Sequence, residues 1–275
     1  MNTSLEPKKN ERDIIASAES KIVEMQSAGA IDMPKNYSVG NALKSAMLAI
    51  KDAKDHNKTP ALQCCTSESI ANSLLNMAIQ GLSPAKKQCY FVVYGDQLQC
   101  LRSYHGTKAV VKRLKGVTDV VSNVIYEGDI FETDIVVGVK KVIEHKQQFK
   151  NIDNDKINGA YCTIIFSDGN TFSDWMTYDQ IKKSWQKSRG YGTGKQSVHT
   201  DFPDQMAMRT VINRTCKSFV STSDDSDILL DAFNRTDIQF DEYETKTAHN
   251  FKMPVKITEK KIEQVATEEE KPKNE

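Results

Sequence analysis

A run of basic residues between Arg102 and Arg113 has a spacing that suits phosphate chemistry. If this run forms a helix, Lys108, Lys112 and Lys115 fall at positions i, i+4 and i+7 and share one face. Ammonium groups beside the N-terminal amides of a helix attract a polyanion. The alternative is a solvated lysine face that binds no ligand, and the run alone leaves both readings open.

A second segment of the same kind lies over residues 203–220. Arg209, Asn213 and Lys217 recur there at i, i+4 and i+8, with Arg214 beside them. Arginine stays charged and can donate two parallel hydrogen bonds to one phosphate. Two amphipathic helices with cationic outer faces could line one groove, although the sequence does not show whether they face the same way.

Apolar residues at helical spacing predict the sides on which these two segments are buried. The first segment would bury Val110, Val111 and Leu114, and the second would bury Met208, Val211, Ile212, Thr215 and Phe219.

The rest of the chain predicts further helices around a cluster of strands. Helices are expected over 11–28, from a cap at Ser38, over 67–80, over 178–188 and near 228–233. Alternating segments predict a hairpin over 88–102, strands over 117–126 and 130–144, and a second hairpin over 161–176. Helices, antiparallel strands and then helices indicate an α+β fold, a small antiparallel sheet with hairpins flanked by helices.

Charge is distributed unevenly along the 275 residues, although the net charge is zero. Residues 33–220 carry 25 Lys and Arg against 17 Asp and Glu, whereas residues 221–275 carry eight against 14. A basic domain attracts nucleic acid, and an acidic tail usually stays solvated and contacts proteins. We therefore predict an N-terminal helical segment over 1–32, a DNA-binding core over 33–220 and an acidic, largely disordered partner-binding tail over 221–275.

The six cysteines form no C-x-x-C pair, which argues against a zinc ribbon or a thioredoxin-like motif. We see no secretory signal and no apolar stretch long enough to span a membrane, so we expect no membrane contact, reduced thiols and a cytoplasmic location. The glycine-rich segment 190–195 lacks the Walker spacing and is interpreted as a mobile basic loop. No cofactor is predicted.

An enzymatic alternative is a Mg²⁺-dependent nuclease. Asp129 followed by Glu144 and Lys146 resembles a D…E-x-K arrangement, in which two carboxylates hold the metal and the lysine polarises water. The pattern is short and common by chance, and the competing interpretation is a turn aspartate followed by a charged strand end.

Several short motifs occur in an ordered series over residues 70–220. They are Gly81-Leu82-Ser83-Pro84, Tyr104-His105-Gly106, Tyr126-Glu127-Gly128-Asp129, Gly159-Ala160-Tyr161, Met176-Thr177-Tyr178-Asp179 and Met206-Ala207-Met208-Arg209. In this order and spacing the chain resembles the RecT family of phage single-strand DNA annealing proteins.

The resemblance implies a fold similar to that of eukaryotic single-strand annealing proteins. It also implies ATP-independent binding of single-stranded DNA and of the annealed duplex, a homo-oligomeric ring or helical filament, and no bond chemistry. A phage exonuclease and the single-strand binding protein of the bacterial host are the expected protein partners. A protein that coats single strands without annealing them is a further alternative.

The residues expected to contact DNA are the cations of both basic segments and a few neighbours. Tyr104 is the first choice for stacking on a base because it stands at the start of the first basic helix. The expected phosphate contacts are Lys108, Lys112, Arg113, Arg209, Arg214 and Lys217, with Lys86, Lys87 and Lys182 as secondary candidates.

Overall fold

A computed structural model describes residues 11–186, 198–223 and 227–237 of the chain. The glycine-rich segment 190–195 and most of the predicted acidic tail lie outside the described residues. Every described residue belongs to one compact unit.

Nine α-helices, three short 3₁₀ helices and seven strands are found within the described ranges. The helices are α1 (Glu11–Ser27), α2 (Val39–Asp52), α3 (Ala61–Cys64), α4 (Ser67–Ile79), α5 (Tyr104–Val111), α6 (Tyr178–Trp185), α7 (Val198–Asp201), α8 (Pro203–Val220) and α9 (Asp227–Arg235). The strands are β1 (Cys89–Tyr94), β2 (Gln97–Arg102), β3 (Val117–Tyr126), β4 (Ile130–Val136), β5 (Val139–Lys146), β6 (Ile157–Phe166) and β7 (Thr171–Thr177).

Side-chain caps fix where two of the N-terminal helices begin. The hydroxyl of Ser38 accepts a hydrogen bond from the backbone N–H of Asn41, which confirms the predicted start of α2. The hydroxyl of Thr66 does the same for the N–H of Ser69 at the start of α4. Gly81 follows α4 with φ of 58°, a conformation that favours glycine and ends the helix.

Three strands form the central sheet in the order β3-β6-β7, with both pairs antiparallel. Helix α8 packs across β3, β6 and β7. Ala160, Cys162 and Ile164, at alternate positions of β6, are fully buried, as is Ile212 of α8 apart from a trace of exposure. The predicted α+β class, with small antiparallel sheets flanked by helices, is confirmed.

Two hairpins complete the strands, and they differ in how they are anchored. The β1–β2 hairpin is fixed to α4, because the hydroxyl of Ser73 donates to the carbonyl of Leu98 at 2.7 Å and the N–H of Leu98 donates to the hydroxyl of Ser69 at 3.1 Å. The β4–β5 hairpin packs against β7, and most of its residues are exposed or half-buried.

One hydrophobic core runs through the described residues, from α1 to α9. Ile14 and Ile22 of α1 and Phe233 of α9 all contribute buried side chains to it. The division of the chain at residues 32 and 220 stays a prediction, but the helices on either side of those points share this core.

No helix among the described residues is long and apolar enough to cross a membrane. All six cysteines are free thiols.

Candidate nucleic-acid interface

The first basic segment forms α5, and its start is held by neighbouring backbone. The hydroxyl of Ser103 accepts from the N–H of Gly106 at 3.1 Å and donates to the carbonyl of Lys87 at 2.7 Å. A side chain at Gly106 would collide with the carbonyl oxygen of Gln88. Glycine therefore lets α5 pack directly on the turn that carries Lys86 and Lys87.

The buried side of α5 is the predicted one. Val110, Val111 and Leu114 are all buried, as the apolar spacing requires. The opposite side of the helix therefore carries Lys108, and Lys112 follows on that side as the C-cap residue.

The second basic segment forms α8, which begins at Pro203 and ends at Val220 as the sequence predicted. The indole N–H of Trp185 donates to the hydroxyl of Thr210 at 2.8 Å, which fastens α6 to the middle of α8. Val211, Ile212 and Thr215 are buried as expected, whereas the predicted core residues Met208 and Phe219 are only half-buried and pack against the core.

Helices α5 and α8 pack against each other. The hydroxyl of Thr107 donates to the side-chain oxygen of Asn213 at 3.3 Å, joining the two helices. A hydrogen bond with Cys162 and burial raise the pKa of Cys216 on α8, and the ammonium group of Lys108 on α5 is among the charges that oppose this rise. The two basic segments, distant in sequence, are neighbours in the fold.

Arg102 lies beneath this helix pair and is a structural residue that the sequence analysis missed. Its side chain is 3% exposed, and its guanidinium donates to Thr107 at 3.0 Å, to Gln80 at 3.0 Å and to the Phe233 carbonyl at 2.6 Å. The guanidinium carbon stands 3.4 Å above the centre of the Phe233 ring. These contacts join β2, α4, α5 and α9.

Burial lowers the pKa of Arg102 to about 10, against the opposing effect of Asp237, so the guanidinium is charged at neutral pH. The strand pattern carried a signal for this burial. Leu98, Cys100 and Arg102 occupy alternate positions of β2 and therefore point to the same, inner face.

Arg209 of α8 differs from Arg102 in its hydrogen bonding. Its Nε is buried and has no hydrogen-bond partner among the residues that the structure describes. Desolvation lowers the pKa of Arg209, and electrostatic interactions with Tyr90, Asp237 and Tyr104 oppose that shift. A buried guanidinium donor without a partner calls for an explanation, and a bound anion provides one.

Four further candidates lie at or near the start of α5. Within the described ranges, Lys86, Lys87 and Lys108 make no hydrogen bond or ion pair through their ammonium groups. The ring of Tyr104 lies 4.0 Å from the ring of His105 at an interplanar angle of 34°. Tyr104 is among the groups that act on the pKa of Arg209, which places Tyr104 near Arg209 where α5 meets α8.

The other candidate cations already have protein partners. Lys112 pairs with Asp119 at 2.9 Å, and Arg214 pairs with Asp174 at 2.9 Å. The guanidinium of Arg113 donates to the carbonyls of Ala109 and Gly81. Lys182 and Lys217 pair with Asp179 at 2.9 Å and Asp237 at 3.2 Å.

Asp237 has a special place because it lies among three cations. Its carboxylate is 3.2 Å from Lys217 and 3.7 Å from Arg102, and it raises the pKa of Arg209. No local pattern pointed to this residue, which follows α9 and meets α8 only through the tertiary fold.

The residues of the nuclease alternative do not form one site. The Asp129 side chain is fully buried and accepts hydrogen bonds from Gln147 at 2.8 Å, Asn151 at 3.0 Å and the N–H of Tyr126 at 2.9 Å. Burial alone would raise the pKa of Asp129, but these bonds and one from His145 outweigh it and hold the pKa at about 2. Asp129 therefore fastens a turn to the hairpin that follows.

Glu144 and Lys146 point away from Asp129. They flank His145 on β5, and His145 faces Asp129 at 3.2 Å, so strand alternation turns both neighbours to the opposite side. Glu144 and Lys146 instead pair with each other at 2.7 Å. These three residues therefore do not form a D…E-x-K site. Within residues 11–186, 198–223 and 227–237, no group of three or more metal-ligating side chains occurs.

Comparison with known proteins gives one result for the family and one for individual relatives. The family model described as "RecT family" matches residues 40–252 of the chain. A search of curated proteins finds no match.

Proposed function

The chain belongs to the RecT family, whose members anneal single strands in phage-type recombination, and we propose that it pairs complementary DNA strands without ATP. The proposed binding surface is the outer side of α5 and α8, from the turn at Lys86 and Lys87 to Lys217. The corner where the two helices meet would make the tightest phosphate contacts.

The observation that carries this proposal is the state of Arg209. Its buried Nε lacks a partner among the described residues, while Lys108 and Tyr104 lie on the helix packed beside it. An unmade hydrogen bond at a buried donor costs about 1–3 kcal/mol. A phosphate oxygen would satisfy that donor, since guanidinium groups bind phosphate with strong, charge-assisted hydrogen bonds.

Binding through phosphates explains how such a surface would promote annealing. Cations neutralise two strands that otherwise repel, and the release of counterions drives the association. The base edges stay free to test a partner, so Watson–Crick geometry supplies the specificity. ATP hydrolysis is not required, because base pairing is itself favourable by about 1.4 kcal/mol per base-pair step on average.

A homo-oligomeric ring or helical filament would extend this weak binding along a strand. Each subunit contributes a few phosphate contacts, and linking subunits turns these into one high-avidity complex. The domain division belongs to the proposal as well: an N-terminal helical segment over 1–32, an annealing core over 33–220 and an acidic tail over 221–275.

The tail is the proposed contact for protein partners. A phage exonuclease that resects duplex ends and the host single-strand binding protein are the candidates, and the bacterial cytoplasm is the proposed location. The protein would act on DNA without catalysing a reaction.

The test is an ATP-free annealing assay with two complementary labelled oligonucleotides. We expect the wild type to accelerate pairing and the double variant Lys108→Gln/Arg209→Gln to lose most of that acceleration. Lys44→Gln/Lys51→Gln removes the same charge from α2 and is the matched control, which should anneal like the wild type.

Strand length in the same samples, with Mg²⁺ added, separates annealing from nuclease activity. Intact strands and faster pairing support the proposal. Shortened strands, or unchanged annealing by the Lys108→Gln/Arg209→Gln variant, would contradict it.

A further inference from the structure

The tip of the β4–β5 hairpin is an apolar knob with no cover. Five consecutive residues, Ile135 to Val139, contain no charge and no hydrogen-bonding side chain. Val137 is 97% exposed and Ile135 is 60% exposed, while Val136 and Val139 are more than a third exposed. Exposed apolar patches of this kind mark contact sites in soluble proteins.

The turn at the tip has an unusual sequence for its conformation. Val136 pairs with Val139, so Val137 and Gly138 form a two-residue turn, with φ of 52° and 80°. Positive φ at both positions favours Asn-Gly, and a β-branched residue is disfavoured there. Valine is therefore unfavourable at this position of the isolated hairpin, because its backbone conformation is disfavoured and its apolar side chain is exposed to water. This cost indicates that the side chain contacts another surface.

The shape of the knob restricts what can cover it. Val136 and Val139 form a cross-strand pair on one face of the hairpin, Ile135 lies on the other face, and Val137 projects from the end. A flat surface would cover one of these sides only. A concave receptor is needed to cover all of them.

Such a receptor exists on the same chain. A pocket of about 550 Å³ lies between the loop at 29–35, the end of α4, the end of α5 and α9. Each of these four segments contributes an apolar side chain, namely Ile31, Ile79, Leu114 and Leu229. This volume is within the range of about 300–1,000 Å³ that is typical of ligand pockets.

Charged side chains lie beside both the pocket and the knob. Lys35 and Lys115 lie at the pocket together with Arg113, and Asp32 is the one carboxylate there. At the base of the knob, the exposed Asp134 stands opposite Lys141 in the hairpin, and Lys140 is held by Asp174 at 2.6 Å. The uncharged tip is therefore the part of the hairpin that matches the apolar side chains of the pocket.

We propose that the hairpin tip of one subunit inserts into the pocket of the next, so that copies of this chain join head to tail. A knob and a pocket at different places on one molecule make a heterologous contact, which yields a ring if it closes and a helical filament if it does not. This inference names a specific contact for the proposed ring or filament. It rests on the proposed function only for the role of that assembly in annealing.

The test uses the full-length chain in two single variants. Val137→Asn removes the apolar tip and creates an Asn-Gly turn, which suits the backbone, so the variant should unfold at the same or a higher temperature than the wild type. Ala30→Phe fills the pocket from within. By sedimentation velocity, we expect each variant alone to need a protein concentration about tenfold or more above that of the wild type before it assembles.

Mixing the two variants is the decisive step. The Val137→Asn chain keeps its pocket and the Ala30→Phe chain keeps its knob, so an equimolar mixture should form particles of two subunits and no larger. Assembly of Val137→Asn at the wild-type concentration, or a mixture with no two-subunit particle, would overturn the inference. If Ala30→Phe fails to fold, the concentration dependence of Val137→Asn alone decides in the same way.

Binding of a short single-stranded oligonucleotide separates this inference from the proposed function. Val137→Asn should bind it like the wild type, because the outer side of α5 and α8 is unchanged. Normal assembly with weakened DNA binding would assign the tip to DNA and overturn the inference. A wild type that assembles without annealing would refute the proposed function and leave the knob-and-pocket contact standing.

Discussion

Arg102 of β2 and Arg209 of α8 are both desolvated and both interact with the charge of Asp237, but their guanidinium groups have different hydrogen-bond partners. Arg102 is buried beneath α5, with hydrogen bonds to α4, α5 and α9 and a ring stacked against it. Arg209 is partly desolvated, and its buried Nε lacks a partner within the described part of the chain. The comparison separates a cation that holds the fold together from one whose buried donor is not satisfied by any described residue.

The same distinction applies to the other cations of α5 and α8. Lys112, Arg214 and Lys217 each pair with a carboxylate, whereas Lys108 does not pair with any described residue. A paired cation must exchange one partner for another when DNA binds, and that exchange reduces the net gain. We therefore expect the lack of a protein partner to be a better guide to DNA contact than position on a basic helix.

The largest expected effect concerns the buried arginine. Arg102→Met should lower the free energy of unfolding by about 3–5 kcal/mol, because the partners that lose their donor are buried. They are the side-chain oxygen of Gln80, the carbonyl of Phe233 and the hydroxyls of Thr107 and Thr236, and Asp237 loses one of its cations. Urea denaturation followed by circular dichroism measures this loss. Arg209→Met is the matched control and should change the unfolding free energy by less than about 1 kcal/mol. Similar losses in both variants would erase the proposed distinction between the two arginines.

A buried carboxylate gives the next largest effect. Asp129→Asn should lower the free energy of unfolding at neutral pH by about 1–3 kcal/mol, since Asn cannot accept all the hydrogen bonds that the carboxylate accepts. The effect also depends on pH. The pKa of Asp129 is held at about 2 in the folded chain, below the unfolded value of about 3.9.

The stability that Asp129 contributes is therefore fully present above about pH 4 and is lost as the pH falls towards 2. Wild type and Asp129→Asn should converge in stability across that window when urea midpoints are measured at several pH values. A difference in midpoint that stays constant down to pH 2 would mean that the carboxylate has no special role in this turn.

The smallest expected effect concerns an exposed ion pair. Asp119→Asn releases Lys112 and removes one negative charge beside α5, so affinity for single-stranded DNA should rise. Exposed ion pairs are worth about 0.2–1 kcal/mol, which corresponds to at most about a fivefold change. Fluorescence anisotropy with a labelled oligonucleotide measures it. Asp52→Asn makes the same charge change at the end of α2, and an equal rise there would indicate a general charge effect.

Local patterns in the sequence were enough to predict most of the elements. Apolar spacing placed α8 at Pro203–Val220, and Ser38 marked the start of α2, because both signals act within a few residues of chain. The alternation of strand residues likewise predicted the β1–β2 hairpin.

Local patterns could not predict which candidate side chains are buried or paired with a carboxylate. The carboxylates that engage Arg214 and Lys217 come from β7 and from the end of α9, so only the tertiary fold brings them close. Arg102 was an intermediate case, since its position in β2 indicated an inward direction but not the partners that satisfy it. The exposure of the Val137 tip was likewise hidden, because the same apolar residues would suit a buried strand.

The salt dependence of single-stranded DNA affinity tests the central claim most directly, namely that the cations without protein partners bind the phosphates. Logarithmic plots of affinity against salt should be measured for the wild type, for Lys108→Gln/Arg209→Gln and for Lys112→Gln/Arg214→Gln. Each lost phosphate contact reduces the slope by about 0.7. We predict a reduction of about 1.4 for Lys108→Gln/Arg209→Gln and a clearly smaller one for the paired cations. An unchanged slope for Lys108→Gln/Arg209→Gln, or equal reductions in both variants, would contradict the account.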